Sequence, residues 1–92
     1  MKLRWAPSAQ QKFDEAIDYL QDRSPKGARR IGRAILHAVN LIEDFPWLAP
    51  PSRHSGLRQK TVPRTQYLII YLIDAEGVEI RAVIHAKRKR RR

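Results

Sequence analysis

The spacing of apolar residues changes once along this 92-residue chain, and that change limits the folds open to it. Up to about residue 45, apolar side chains recur every three or four residues, which is the period of a helix that buries one face. From Leu57 onward they recur every second residue, which is the period of a strand. Because a chain this short can hold only one hydrophobic core, the sequence predicts a single α+β domain.

Two helices are predicted ahead of this change. Ser8, with Gln11 three residues later, matches a capping box, and we expect the first helix to begin there. Ser24-Pro25 is a second start signal, a capping hydroxyl followed by proline at the first helical position. The second helix should run to about Phe45 and form an antiparallel hairpin with the first.

Four strands are predicted around this hairpin, at residues 3–5, 57–62, 66–73 and 78–85. The resulting order is β-α-α-β-β-β, with the helical hairpin on one face of a small, mainly antiparallel sheet. Residues 1–86 form the domain. Residues 87–92 form a basic tail, which should be disordered unless bound because its adjacent like charges repel one another. In the loop before the second strand, we expect Trp47 and Leu48 to lie against the core.

Strict alternation also assigns strand side chains to the two faces of the sheet. In the third strand both faces are apolar, with Tyr67, Ile69, Tyr71 and Ile73 on one and Leu68, Ile70 and Leu72 on the other. In the last strand, one face carries Val78, Ile80, Ala82 and Ile84, and the other carries Glu79, Arg81, Val83 and His85. Since two helices cover only one face, the second apolar face is either capped by loop side chains or offered to a partner.

Positive charge is concentrated in the second half of the chain. The formal net charge is +10: residues 1–50 carry eight basic and six acidic groups (8 − 6 = +2), and residues 51–92 carry eleven and three (11 − 3 = +8). Such a field attracts phosphate chains and acidic protein surfaces. There is no cysteine, which suits a reducing cytoplasm, and no window approaches the roughly 20 apolar residues of a membrane span.

The motifs of metal and nucleotide enzymes are missing from the sequence. The three histidines, His37, His54 and His85, are too far apart to give a metal-ligand spacing. There is also no close pair of carboxylates, no nucleophile elbow and no glycine-rich phosphate loop. We therefore expect neither a metal nor a cofactor.

Several short motifs, taken in order, resemble those of the RelE/ParE superfamily of bacterial toxins. They are Leu3-Arg4-Trp5, residues 13–20, Ser24-Pro25, Gly56-Leu57-Arg58, residues 67–71 and residues 83–88, and together they span essentially the whole chain. Two of them are more similar to the ParE branch: Leu57-Arg58 ahead of an apolar strand, and His85 followed by a small residue and basic residues.

The resemblance implies the toxin of a type II toxin-antitoxin system, which is held inactive by a cognate antitoxin and contacts operator DNA only through the antitoxin complex. ParE-like members act on DNA gyrase, whereas RelE-like members cut mRNA on the ribosome. RelE-like ribonucleases carry several lysines on the central strands and a tyrosine after the last strand. Here Lys60 and Lys87 are the only lysines nearby and no tyrosine follows Tyr71, so the ParE-like alternative is favoured.

Candidate functional residues follow from the two alternatives. For a ribonuclease, His85 would be the general acid or base, with Arg58, Arg64 and Arg81 as phosphate-binding cations. For either target, the candidate binding residues are Arg58, Lys60, Arg64, Arg81, Lys87 and Arg88. We expect a basic cluster on the sheet face away from the helices, where Arg81 and His85 should lie together.

These residues also have ordinary structural interpretations. Arg58 would pair with Glu79 or Asp74, and His85 would be hydrogen-bonded to the backbone at the end of its strand. The antitoxin is expected to cover apolar surface of the helical hairpin and of the sheet. The residues predicted to bind it are Phe13, Ile17, Leu20, Tyr67, Ile69 and Tyr71.

Overall fold

The computed structural model describes residues 2–89, and the side chains of residues 2–87. Its elements are β1 (Leu3–Trp5), α1 (Pro7–Arg23), α2 (Pro25–Asp44), β2 (Arg58–Thr61), β3 (Tyr67–Asp74), β4 (Gly77–His85) and α3 (Ala86–Lys89). This is the predicted order with one helical turn added at the end. Residues 87–89 therefore lie in α3 and not in a disordered tail, while the rest of the predicted tail, residues 90–92, lies outside the described residues.

The four strands form one sheet in the order β1-β4-β3-β2. β1 runs parallel to β4, and the other two pairs are antiparallel, so the sheet is mainly antiparallel as predicted. The close approach of β1 requires glycine at Gly77, where φ is +135° and a Cβ would collide with the carbonyl oxygen of Lys2. That same oxygen accepts a hydrogen bond of 2.8 Å from the backbone N–H of Val78.

The two long helices begin differently from each other. Proline occupies the first turn of α1 at Pro7, and Ala6 is its N-cap with no side-chain hydrogen bond. The predicted capping box at Ser8 is therefore wrong: the fixed φ of proline already suits the first helical position, so the helix starts before the serine. At α2 the prediction is confirmed, because Ser24 Oγ accepts a hydrogen bond of 3.0 Å from the backbone N–H of Gly27.

The helices α1 and α2 form a hairpin around Ser24. A Cβ added to Gly32 would lie 3.5 Å from Cδ1 of Ile17. Residues 17 and 32 lie almost equally far from Ser24 along the chain, so the two helices run back along each other. The antiparallel hairpin predicted from the sequence is confirmed.

The hairpin covers one face of the sheet, here called the helix face, and the opposite side is the outer face. The core between helices and sheet contains Ala9, Ile31, Ile35, Ala38, Val39, Ile42, Val62, Ile69, Tyr71, Val78 and Ile80. On β3 the predicted alternation is confirmed, since the core and the residues packed against it include Tyr67, Ile69, Tyr71 and Ile73. The outer face of β3 carries Leu68, Ile70 and Leu72.

A β-bulge at Arg81 changes the faces of β4. Ile70 pairs with Ala82, whereas Tyr71 pairs with Ile80, so Arg81 has no residue opposite it. One extra residue moves every later side chain to the other face. The predicted alternation is therefore wrong beyond the bulge. The helix face of β4 carries Val78, Ile80, Val83 and His85, and its outer face carries Glu79, Ala82 and Ile84.

The loop between α2 and β2 leaves two large apolar side chains in solvent. Trp47 is 61% exposed and Leu48 is 81% exposed, so the prediction that they lie against the core is wrong. The loop is instead fastened through backbone carbonyls on either side of them. The hydroxyl of Tyr71 donates to Pro46 O at 2.8 Å, and Arg58 Nη1 donates to Ala49 O at 2.6 Å.

Candidate functional site

The predicted basic cluster is divided between the two faces of the sheet. Arg58 and Lys60 lie opposite Tyr71 and Ile69, which places both on the helix face. The expectation that they lie on the face away from the helices is therefore wrong. It rested on strand alternation alone, which does not tell which face the helices cover.

The bulge separates Arg81 from His85. Arg81 lines a pocket on the outer face with Ala82 and Ile84, and Arg58, at the start of the edge strand β2, lines the same pocket. His85 lies opposite Tyr67 on the helix face. The prediction that Arg81 and His85 share a face is wrong, because the four-residue spacing between them includes the unpaired residue of the bulge.

Arg58 is half-buried and anchors the loop through Ala49 O. It does not form the predicted pair with Glu79 or Asp74, because both carboxylates bind Arg4. The charge of Arg58 also acts on Tyr71. Burial raises the pKa of the Tyr71 phenol, and the nearby guanidinium opposes that rise.

Arg4 is a central charged residue of the outer face, and the sequence interpretation missed it. Its Nη2 lies 2.6 Å from Asp74 Oδ2, and its Nε lies 3.5 Å from Glu79 Oε2. The hydrogen bond from Arg4 lowers the pKa of the Asp74 carboxyl below its ordinary value. Arg81 joins the network through Glu79 at 3.5 Å. The only signal in the sequence was the pair of carboxylates Asp74 and Glu79. That pair did not indicate that β1, which carries Arg4, would lie beside β4.

A cavity of about 820 Å³ lies between the helical hairpin, the β2–β3 turn and the end of β4. Four of the residues that line it are cationic or imidazole side chains, namely Lys12, Arg30, Arg64 and His85. We call this cavity the basic cleft. The structure thus brings Arg64 and His85 together as candidates, but adds two helical residues that the sequence interpretation missed. Little in the sequence singled out Lys12 and Arg30, because exposed helix surfaces normally carry lysine and arginine.

The turn that carries Arg64 is held in one conformation. Arg64 has φ of 63°, in the left-handed region, and its carbonyl oxygen accepts a hydrogen bond of 3.3 Å from Arg30 Nη1. Thr65 Oγ1 donates to Val62 O at 2.8 Å and accepts from the backbone N–H of Tyr67 at 3.0 Å. These hydrogen bonds hold the backbone of the turn in place at Arg64.

His85 contributes a nitrogen without a hydrogen-bond partner. Its Nδ1 is shielded from solvent and has no partner among the described residues, so the predicted backbone hydrogen bond is not formed at this atom. The ring packs edge-on against Tyr67, with centroids 5.2 Å apart and an interplanar angle of 80°. His85 is thus held against the apolar interior beside the cleft.

Of the residues predicted to bind an antitoxin, two belong to the core. Ile69 is 0% exposed and cannot contact a partner without opening the helix face, so the prediction is corrected at this position, which the hairpin covers. Tyr71 is 1% exposed and belongs to the core, but it also lines a groove beside the end of α2. Phe13, Leu20 and Tyr67 are partly buried against the core, and Ile17 is half-buried.

A different apolar surface is open. Leu41, Phe45 and Leu48 are 37%, 55% and 81% exposed, and they line a groove of about 320 Å³ at the end of α2. The opposite wall of the groove includes Lys60 of β2, which is an edge strand of the sheet. We call this surface the β2 groove.

Metal sites and membrane spans are both absent from residues 2–89. In that range, no three His, Cys, Asp or Glu side chains are grouped so that they could hold a metal ion. Nor does the described part of the chain contain a helix that is both long enough and apolar enough to cross a membrane.

Comparison with known proteins decides the family. Residues 3–90 match the family described as "ParE toxin of type II toxin-antitoxin system, parDE". The chain belongs to the ParE toxin family. A relative of this ParE-type toxin, the protein named "Putative toxin Y4kP" from Sinorhizobium fredii, is 31% identical to it over 85 residues. The alignment covers 92% of this chain and 88% of that relative.

A solved structure shares the fold of this ParE-type toxin. The structure named "Chromosomal ParDE TA system from P. aeruginosa" has a chain that matches with a TM-score of 0.81 at 19% identity. The match covers 92% of this chain and 95% of that chain. The two-helix hairpin on a mixed four-stranded sheet is therefore the ParE toxin fold.

Proposed function

We propose that this ParE-type toxin inhibits growth in the cytoplasm by binding DNA gyrase, and that a cognate antitoxin neutralises it. The family match over residues 3–90 supports a growth-inhibiting toxin. One structural observation favours action by protein contact over hydrolysis. Of the residues that a ribonuclease would use, Arg81 is separated from His85 by the sheet, because of the bulge at Arg81.

Metal-free cleavage of RNA needs an acid, a base and cations around a single phosphate, all within hydrogen-bond reach. Here His85 lines the basic cleft on the helix face, whereas Arg58 and Arg81 both line the outer-face pocket. Arg58 also donates to Ala49 O. These three side chains therefore do not surround one phosphate in this conformation.

A ribosome-dependent mRNA endoribonuclease is the second candidate. The observation that favours it is the basic cleft, where His85 lies with Arg64 and two further cations. In that function His85 would be the proton-transferring group, and Arg58 and Arg81 would not belong to the catalytic set.

Inducible expression of the toxin in bacteria separates the two candidates. Incorporation of labelled thymidine and of labelled amino acid is followed over the first minutes. Inhibition of gyrase predicts early loss of DNA synthesis while translation continues. Early collapse of translation with thymidine uptake preserved would contradict the gyrase proposal and favour the ribonuclease.

The variants His85→Ala and Arg81→Ala sharpen this experiment. Under the gyrase proposal, His85→Ala retains toxicity, because contact is spread over a surface and no single proton-transfer group is needed. A ribonuclease would lose its toxicity with His85→Ala while its affinity for the antitoxin stayed nearly unchanged. Arg81→Ala, on the other face of the sheet, is the comparison variant for the loss of a charged side chain.

We further propose that the antitoxin covers the β2 groove, and that the toxin reaches operator DNA only through that complex. The P. aeruginosa structure that shares this fold is named as a ParDE toxin-antitoxin system, which supports an antitoxin as partner. The groove places exposed aromatic and aliphatic side chains beside the edge strand β2. An apolar peptide segment could bind to such a surface. Candidates from the sequence that remain accessible next to the core are Phe13, Ile17, Leu20 and Tyr67.

A charged substitution in the groove tests this surface. Phe45→Glu should weaken antitoxin binding by about ten-fold or more while toxicity persists, because a buried carboxylate at an interface is costly. Leu36→Glu is the matched control, since Leu36 is 47% exposed on α2, the helix that ends just before Phe45, but does not line the groove. Loss of toxicity by Phe45→Glu with antitoxin binding intact would assign the groove to the target instead.

A further inference from the structure

We propose that the basic cleft binds a nucleoside monophosphate, with the phosphate held by Lys12, Arg30 and Arg64. This proposal goes beyond inhibition of gyrase and does not depend on it. It rests on four features of the cleft: uncompensated charge, size, an apolar floor and a strained arginine.

The cations of the cleft lack carboxylate partners. Among the described residues, the ion pairs all involve Arg4 or Arg81, at the other end of the sheet or on its outer face. Within the same residues, Glu15 is the one carboxylate that lines the cleft, and its Oε2 accepts a hydrogen bond of 3.1 Å from Gln11. Like charges around one cavity repel each other, and a bound anion removes that repulsion.

The cleft also has the size and the floor for a base and a sugar. Its volume of about 820 Å³ falls within the range of small-molecule sites. Its apolar lining consists of four aliphatic side chains and two aromatic rings, namely Ala16, Leu20, Ile31, Val83, Tyr19 and Tyr67. An inorganic anion alone would leave most of this space empty, whereas a nucleotide would use both the cations and the apolar floor.

Arg64 is held at a backbone angle that suits glycine better than arginine. Its φ of 63° lies in the left-handed region, where a side chain is unfavourable. The hydrogen bond from Arg30 and the bonds within the turn maintain this conformation. Strain of this kind concentrates at functional sites, and here it holds the backbone of Arg64 at the rim of the cleft.

A small ligand fits this arrangement better than a long chain does. Single-stranded nucleic acid is bound by cations that follow a groove. Lys12, Arg30 and Arg64 come instead from three different segments, α1, α2 and the β2–β3 turn, and line one cavity. This convergence favours a single phosphate group.

Calorimetric titration of the purified toxin with AMP, adenosine and inorganic phosphate tests the proposal. AMP should bind, and should bind more tightly than either adenosine or phosphate, because only AMP uses both the cations and the floor. The imidazole NMR signals of His85 should shift with AMP, since this ring lines the cleft.

The variant Arg64→Gly separates a role in binding from a purely structural role of Arg64. Without ligand it should melt at the same or a higher temperature, because glycine relieves the strained φ. Its affinity for AMP should nevertheless fall by about ten-fold, the loss expected for a charge-assisted hydrogen bond. Arg30→Gln should cause a similar fall in affinity.

Arg29→Gln is the matched control, because it removes the same charge from an exposed neighbouring position that does not line the cleft. It should change AMP affinity by less than about two-fold. Four results would overturn the proposal: no binding of AMP, equal binding of adenosine, an equal effect of Arg29→Gln, or binding of RNA or a synthetic acidic peptide where AMP does not bind. None of them bears on gyrase, which is tested by DNA synthesis and supercoiling.

Discussion

The two faces of the sheet differ in burial although β3 supplies similar residues to both. Ile69 on the helix face is 0% exposed, whereas Ile70, the next residue, is half-buried on the outer face. The apolar alternation of β3 does not distinguish them. The difference comes from the amphipathic helices, which form a single hairpin and cover one side. The helices therefore account for the burial of Ile69, but not for that of Leu68, which is 5% exposed on the outer face.

The charges show the same contrast. On the outer face, Arg4 and Arg81 are paired with carboxylates of β3 and β4. In the basic cleft, the cations have no such partners among the described residues. A net charge of +10 is thus balanced locally in one region and left uncompensated in another. The uncompensated region is where an anionic ligand gains most.

The largest expected effect comes from comparing alanine substitutions at neighbouring positions of β3. Ile69→Ala should lower the free energy of unfolding by about 2–5 kcal/mol, because it leaves a cavity in the core. Ile70→Ala should cost less, about 1–2 kcal/mol, because that side chain is only partly buried and lines the outer-face pocket. Urea denaturation of both variants measures the difference. Equal losses would mean that the outer face is also closed in solution.

A smaller loss of stability is expected from the hydrogen bond that fastens the loop between α2 and β2 to β3. Tyr71→Phe removes the hydrogen bond to Pro46 O and should lower the free energy of unfolding by about 1 kcal/mol. Tyr19→Phe is the control, since Tyr19 is 54% exposed, and it should change stability little. If the two variants are equally stable, the phenol of Tyr71 does not fasten the loop.

The same residue predicts a dependence on alkaline pH. Burial raises the pKa of Tyr71 above its ordinary value of 10.0, so the neutral phenol stabilises the fold fully below pH 10. That contribution is lost as the pH rises through the folded pKa. The stability advantage of the wild type over Tyr71→Phe should therefore shrink above pH 10. A constant advantage through that range would contradict burial as the cause.

The smallest effect is expected from the ion pairs of the outer face. Arg4 lowers the pKa of Asp74 below its ordinary value of 3.8, so this contribution is present above that pH and is lost as the pH falls through the folded pKa. Arg4→Gln should therefore be less stable than the wild type at pH 7, and the gap should close in acid. Arg53→Gln, at an exposed loop position, should show no such closing gap. Thermal melts of the three proteins between neutral and acid pH measure this.

The parts of the fold that could be predicted from sequence are those decided by neighbouring residues. The cap at Ser24, the change of period near Leu57 and the alternation in β3 are local patterns, and the structure confirms them. The bulge at Arg81 is not a local pattern. It depends on how β4 meets β3, and no glycine or proline marks it in the sequence.

The candidate site was predicted only in part for the same reason. Arg64 and His85 could be found because one lies in the turn between two strands and the other ends a strand, and the fold brings them into one cleft. Lys12 and Arg30 lie on helix surfaces, and their contribution depends on how the hairpin sits on the sheet. Trp47 points outward because the carbonyls beside it are bonded to the sheet, which no spacing along the chain reveals.

The most direct test of the account measures DNA supercoiling by purified gyrase in the presence of the purified toxin, with no ribosomes or mRNA added. If the toxin acts on gyrase by contact and not by proton transfer, it should inhibit supercoiling, and His85→Ala should inhibit it equally well. Normal supercoiling by gyrase, together with cleavage of mRNA on ribosomes that requires His85, would contradict this account.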